Sequence, residues 1–319
     1  MRQQPITLAL GGGGARGISH LGVIDGLLDA RIEINRVVGV SIGSLAGAMY
    51  AFNPDIKQAV AKALGYLTSE SFQTHQQTLF GARRNSGEKT GGVFAWYSRV
   101  MKYLRGNRTW HRAVTQSSLL PAAILQDVVT HLLPDADIAD AKIPLSIVAV
   151  DLHSGHQVVL EKGSVREAVR ASAAIPGIFP PVEWDEMLLC DLGTFCSLPT
   201  VIARSYGNGP VVAVDVSSSI KHLTHCNTAL DVLMRMDEIG EALFRKHVTA
   251  AADFIIRPAV SNTEWFDFSN PELLMNLGRK AARQRSTELT ALLRRRPLPE
   301  KPSVAERIAA EPSGIDSSV

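Results

Sequence analysis

The sequence predicts an α/β fold in which a mostly parallel central sheet is flanked by helices, and three observations carry that expectation. A strand, a glycine-rich turn and a helix follow one another twice within the first 52 residues. Residues 143–150 and 210–215 are continuous apolar runs, the pattern of central strands covered by helices on both faces. The chain has 319 residues, 45% of them hydrophobic, enough to bury one sizeable core with an appended region.

Taken in order, Ile6-Thr7-Leu8-Ala9-Leu10 reads as a buried strand that runs into Gly11-Gly12-Gly13-Gly14-Ala15-Arg16-Gly17, with a helix expected over about 16–30. Residues 36–40 read as the next strand and 42–52, rich in small and apolar residues, as a buried helix. The turn between them, Gly39-Val40-Ser41-Ile42-Gly43, is a G-x-S-x-G motif, in which the flanking glycines let the backbone bend sharply and leave the serine Oγ exposed above the sheet. A cap is expected as an insertion around 66–120. Its stretch 83–90 is polar and glycine-containing and reads as a loop. A helix over about 92–104 would place Val93, Tyr97, Val100 and Leu104 on one face and Ala95, Arg99 and Lys102 on another. Residues 83–112 interleave lysines and arginines with aromatics, which fits a cap packed on the protein or an interfacial helix making a peripheral membrane contact. The packed cap is preferred, because amphipathic helices bury their apolar face in protein more often.

Beyond the cap, 143–150 is a central strand, 157–160 an antiparallel edge, 187–190 a strand ending at Asp191-Leu192-Gly193, and 210–215 another central strand. Helices are expected over 228–251 and 271–295, separated by a strand at 254–256. They read as packing elements that, over 206–296, complete a catalytic unit formed by 6–205. Residues 297–319, rich in prolines, charges and serines, read as a flexible tail. No internal repeat is present.

The glycine cluster taken alone also satisfies G-x-G-x-x-G, a dinucleotide-binding turn. Such a site wants a carboxylate at the end of the second strand, but that strand runs directly into the Ser41 turn, and Glu33 comes too early. A phosphate-binding loop would need Gly-Lys followed by Ser or Thr, whereas position 16 is Arg and Gly17 precedes Ile18. The remaining use of such a loop is an oxyanion hole, which ester cleavage needs because charge develops on the carbonyl oxygen.

Downstream lies Arg170-Ala171-Ser172-Ala173-Ala174-Ile175-Pro176-Gly177-Ile178-Phe179-Pro180-Pro181-Val182. With the glycine loop and its following His20-Leu21-Gly22-Val23, the G-x-S-x-G turn and the strand-terminal Asp191, it makes four blocks in order over about residues 6–200. In these blocks the chain resembles the patatin-like phospholipases. The resemblance implies a three-layer patatin-like fold and a serine esterase that cleaves lipid or lysophospholipid esters through an acyl-enzyme, without a cofactor. It also implies that Ser41 is the nucleophile and Asp191 its general base, in a dyad without histidine. Gly12, Gly13, Gly14, Arg16 and Gly17 would form the oxyanion loop, with Arg16 adding positive charge, and Gly39 and Gly43 the nucleophile elbow. A buried Asp191 would have a raised pKa, which makes it a better base.

One departure stands out: the family usually carries Asp-Gly-Gly or Asp-Gly-Ala where this chain has Asp191-Leu192-Gly193. If position 192 needed positive φ, Leu would be strained and Asp191 displaced, leaving a weakened scaffold with a lipid-binding or regulatory role. If φ is negative, Leu192 is harmless and lines the site. An acyltransferase would keep the same acyl-enzyme and differ only in the acceptor. An α/β-hydrolase triad would recruit His222, His225 or His247, but that fold places more strands ahead of its elbow.

The remaining features set bounds. Lysine and arginine total 33 against 31 acids, which gives no case for a nucleic-acid partner. Three cysteines make no disulfide framework and suit a reducing compartment, and Cys190 should point away from the face of Asp191. His20 reads as a packed or hydrogen-bonded histidine, while His153 and His156 flank a surface turn. No metal-binding motif occurs. With no signal peptide and no run near the ~20 apolar residues of a spanning helix, the expected location is cytoplasmic, with peripheral membrane contact left open. Head-group preference, acyl-chain length and oligomeric state are left open by the sequence.

Overall fold

A computed structural model describes residues 3–70, 72–73, 118, 120–193, 196–218, 220, 222, 226 and 229–294. It is an eight-stranded mixed sheet with helices on both faces. The strands are β1 (Ile6–Leu10), β2 (Ile34–Val40), β3 (Leu145–Asp151), β4 (Gln157–Leu160), β5 (Val182–Trp184), β6 (Met187–Cys190), β7 (Val211–Val214) and β8 (Phe254–Ile256). Their order is β5-β6-β3-β2-β1-β7-β8, with β4 also paired to β3. The five strands β3-β2-β1-β7-β8 run parallel, and β4, β5 and β6 add antiparallel pairs on one side. The antiparallel edge expected at 157–160 is β4; β5 was not expected from the sequence.

The helices are α1 (Ser19–Asp29), α2 (Ile42–Phe52), α3 (Ile56–Leu67), α4 (Ala123–Leu132), α5 (Val165–Ser172), α6 (Thr200–Ser205), α7 (Ala229–Thr249) and α8 (Pro271–Leu293). Alternation along the strands decides which layer each face meets. Leu8, Leu10, Val37, Ile147 and Val212 point into a large core shared with α1, α2, α3, α4, α5 and α8. Ala9, Val38, Val40, Val148 and Ala213 point the other way, into a smaller core closed by Leu198, Ala203 of α6 and Val248 of α7.

Local chemistry starts several helices where they begin. The Asp55 side chain accepts from the Lys57 and Gln58 N–H groups at α3, and Ser164 accepts from Glu167 N at α5. Asn270 caps α8, which has Pro271 in its first turn, where the missing N–H has no intrahelical partner to lose. The helix expected over about 16–30 is split: Gly14–Ile18 is a 3-10 turn and the α-helix begins only at Ser19. Buried Asp25 joins three helices by accepting from Lys57 of α3 and Arg279 of α8. Most of the expected cap insertion, including the helix at about 92–104 and all of 83–112, lies outside the described residues, as does the tail at 297–319.

Candidate active site

Ser41 sits between β2 and α2 with φ 55° and ψ −129°, a left-handed backbone that a residue with a side chain adopts at a cost of about 1–3 kcal/mol. The strain falls on the serine itself. Gly39 and Gly43 serve instead by letting backbones approach. A Cβ on Gly39 would lie 2.6 Å from Gly43 O and Ser44 Cα, and one on Gly43 would lie 2.3 Å from Leu10 O. The turn is held from below by Ser172, whose hydroxyl donates to Val148 O at 2.6 Å and accepts from Ser41 N at 2.8 Å. Ser44 Oγ donates to Ser41 O at 2.6 Å.

Asp191 follows directly on β6, and its N–H donates to Ala174 O at 2.9 Å. Its carboxylate is approached by the Ser41 side chain, which favours the charged form. It accepts from Gly193 N at 2.6 Å, an Asx-type turn that fixes its rotamer. A Cβ at 193 would sit 2.8 Å from Asp191 Oδ1, so the glycine of the Asp-Leu-Gly triplet is the one the carboxylate requires. Asp191 is 3% exposed. Burial pushes its carboxyl up to about 6, against the neighbouring Ser41 side chain and the Gly193 N–H, which favour the charged form.

Leu192 is not among the non-glycine residues with positive φ, which are Arg31, Ser41 and Asp185 among the described residues. Nor does it line the site. It packs under the sheet with Val38, Val40, Val148 and Leu198. The strain that would have displaced Asp191 is therefore not present at position 192.

The glycine loop lies opposite Ser41: a Cβ on Gly12 would be 3.4 Å from Ser41 Cβ. Of the three glycines expected to donate to an oxyanion, Gly12 is excluded, because its N–H already donates to Ser197 O at 2.7 Å. Gly13 and Gly14 remain, with no such backbone partner for their N–H groups among the described residues. Gly17 has a different role from donation, since a Cβ there would lie 2.1 Å from the Ile42 side chain; its absence lets the loop rest on the start of α2. Arg16 is buried beside the loop. Its Nε donates to Gly13 O at 3.1 Å, and its guanidinium does not line the pocket. Burial brings it down to about 10, opposed mainly by Glu264, with Glu241 and Asp215 acting in the same sense, so it stays charged and braces the loop.

His20, fully buried, meets Gly11 O through Nε2 at 2.7 Å. Burial lowers it to about 4, so the neutral ring donates there from Nε2. His222 and His247 are exposed and line no part of the pocket, and His225 lies outside the described residues. Cys190 is buried among Ala174, Ile178, Phe179 and Trp265, and burial raises its thiol to about 11, an unreactive state. No cluster of metal-ligating side chains occurs among the described residues.

Ser41 opens onto an apolar pocket. Ile42, Leu45, Ala46 and Met49 of α2 line one side, Ala63, Tyr66 and Leu67 of α3 and Leu125, Val129 and Leu132 of α4 the other, and Phe179, Trp265 and Phe268 also contribute. Along α2 alone the lining runs about 10 Å from Ile42 to Met49 at 1.5 Å per residue. The arrangement can therefore hold a chain of methylenes beside a hydroxyl that neighbours a buried, weakly acidic carboxylate. Ser172 is the residue at this site whose role the sequence did not reveal. It was visible only as part of the Ala-Ser-Ala-Ala block, because its job depends on a contact with a turn 131 positions away. No helix among the described residues is long and apolar enough to cross a membrane.

A family model described as patatin-like phospholipase matches residues 8–204. The chain is 26% identical over 302 residues to an uncharacterized NTE family protein of Mycobacterium tuberculosis, covering 87% of this chain and 46% of that protein. It is 32% identical over 215 residues to patatin-like phospholipase domain-containing protein 6 of Homo sapiens, covering 67% of this chain and 13% of that protein. Among solved structures, human GIVD cytosolic phospholipase A2 aligns with a TM-score of 0.49 at 9% identity, over 91% of this chain and 60% of that one. The chain thus spans less than half the length of these two curated relatives.

Proposed function

Because the chain belongs to the patatin-like phospholipase family, we propose that it is a carboxylic ester hydrolase that removes acyl chains from phospholipids or lysophospholipids through an acyl-Ser41 intermediate. The observation that carries this reading is Ser41, on a strained turn beside buried Asp191, opening onto an apolar pocket.

The steps follow from the atoms. Ser41 Oγ attacks the ester carbonyl carbon while its proton passes to the Asp191 carboxylate. The N–H groups of Gly13 and Gly14 receive the negative charge that builds on the carbonyl oxygen. As the tetrahedral intermediate collapses, the C–O bond to the leaving alcohol breaks and that oxygen takes the proton from Asp191. Water then attacks the acyl-Ser41 carbonyl, giving its proton to Asp191. Release of the fatty acid returns the proton to Ser41 Oγ. Asp191 must be ionised at the start of each attack. A pKa near 6 leaves it ionised at neutral pH while making it a stronger base than an ordinary carboxylate. The apolar pocket favours an acyl chain over a charged or peptide group, which would leave polar atoms unpaired there. Water as the second acceptor separates this reading from acyl transfer.

The test is release of fatty acid from mixed micelles of phosphatidylcholine or lysophosphatidylcholine by the purified chain. Wild-type protein should release fatty acid, and Ser41→Ala of equal thermal stability should release none. Equal release by the two would end the proposal.

A further inference from the structure

We propose that Glu241, on α7, is a positioning residue that holds the glycine loop in register with Ser41 through Ser197; this rests on the acyl-hydrolase reading. Ser197 Oγ donates to the Glu241 carboxylate, and Ser197 O accepts the Gly12 N–H at 2.7 Å. One residue thus links a helix on the far face of the sheet to the loop facing the nucleophile. The fit is close at both ends. A Cβ on Gly11 would lie 2.9 Å from Ser197 O, and a Cβ on Gly12 would lie 3.4 Å from Ser41 Cβ. A small shift of Ser197 therefore redirects the Gly13 and Gly14 N–H groups relative to Ser41.

Ser197 lies on the same segment as Asp191, which α7 grips a second time where the Thr200 hydroxyl donates to Val248 O. Glu241 is itself held. Arg245, one turn on, approaches its carboxylate at 3.3 Å, and buried Arg16, whose Nε grips Gly13 O, attracts it. Glu241 does not line the pocket, so it has no direct route to substrate. What Ser197 needs from position 241 is a hydrogen-bond acceptor.

The test measures the rate at which a fluorophosphonate labels Ser41, together with kcat and KM for a soluble ester, in the full chain. Glu241→Ala should slow labelling and lower kcat by about tenfold or more with KM within about twofold, as expected when an interaction made only in the transition state is misaligned. Glu241→Gln keeps an acceptor and should restore most of the loss. Ser197→Ala keeps the carbonyl but loses the donor, so it should match Glu241→Ala, and the double variant should be no worse than either. It also carries the test if Glu241→Ala fails to fold. Wild-type rates in Glu241→Ala or Ser197→Ala, a Gln variant as slow as the Ala variant, or additive losses would overturn the proposal. Failure of wild-type protein to label at Ser41 would instead remove the acyl-hydrolase reading, and this proposal with it.

Discussion

The chemistry of single residues at this site is set by burial as much as by contact. Asp191 ionises near 6 because desolvation outweighs the Ser41 side chain and the Gly193 N–H. kcat/KM should therefore rise with pH through about 6 and level off above it, and a profile flat from pH 4 to 8 would contradict Asp191 as base. The same shift bears on stability. A carboxyl whose folded pKa is raised contributes stability below its unfolded pKa near 4 and loses it as pH rises through about 6, so ionised Asp191 costs up to about 3 kcal/mol at neutral pH. Asp191→Asn should accordingly lose at least about 10²-fold in turnover yet unfold at higher temperature than wild type at pH 8, with the gap closing by pH 4. Leu192→Gly, which would raise activity if Leu were strained, should leave activity unraised and lower the melting temperature, because Leu192 fills the smaller core. The placing of Ser41 and Asp191 at strand ends was legible in the sequence, because each follows an apolar run inside a local motif. The loss of Gly12 as a donor was not, because it depends on a carbonyl brought in from residue 197.

At the scale of elements, β2, the Ser41 turn and α2 form one unit whose glycines make room for neighbouring backbones. Gly43→Ala would place a methyl carbon 2.3 Å from Leu10 O, so it should destabilise the fold by about 1–3 kcal/mol and abolish activity, as read by urea titration and ester turnover. Ser172→Ala leaves the Ser41 N–H without its partner in a buried site and should cost about 1–3 kcal/mol of stability and lower kcat. Elements with continuous apolar runs, such as β1, β3 and β7, could be read directly, since strands covered on both faces are apolar throughout. β5 could not, because it is three residues long and one of them is Glu183. The eight residues of α5 include two arginines and a glutamate and bury only one face. The 3-10 turn ahead of α1 was missed because Ala15 through Ile18 are compatible with an α-helix, and the departure comes from Ala15 N bonding to Trp265 O.

For the whole molecule, the three-layer plan puts the glycine loop, the Ser41 turn and Asp191 at one end of the sheet, with the apolar pocket between α2, α3 and α4 on one face and α7 on the other. The sheet order was only partly legible, since β7 and β8 pair beside β1 across a chain separation that periodicity does not encode. Pocket shape should govern which esters are cleaved. Ala63→Phe narrows the wall formed by α3 and should raise KM for long-chain esters by about tenfold or more while leaving short-chain esters unchanged. The central claim is that Ser41 is the activated nucleophile, and the most direct measurement is peptide mapping of the folded chain after reaction with a fluorophosphonate. The account predicts a single adduct on Ser41, formed faster as pH rises through about 6. An unlabelled folded protein, or an adduct on another residue while Ser41 stays free, would contradict it.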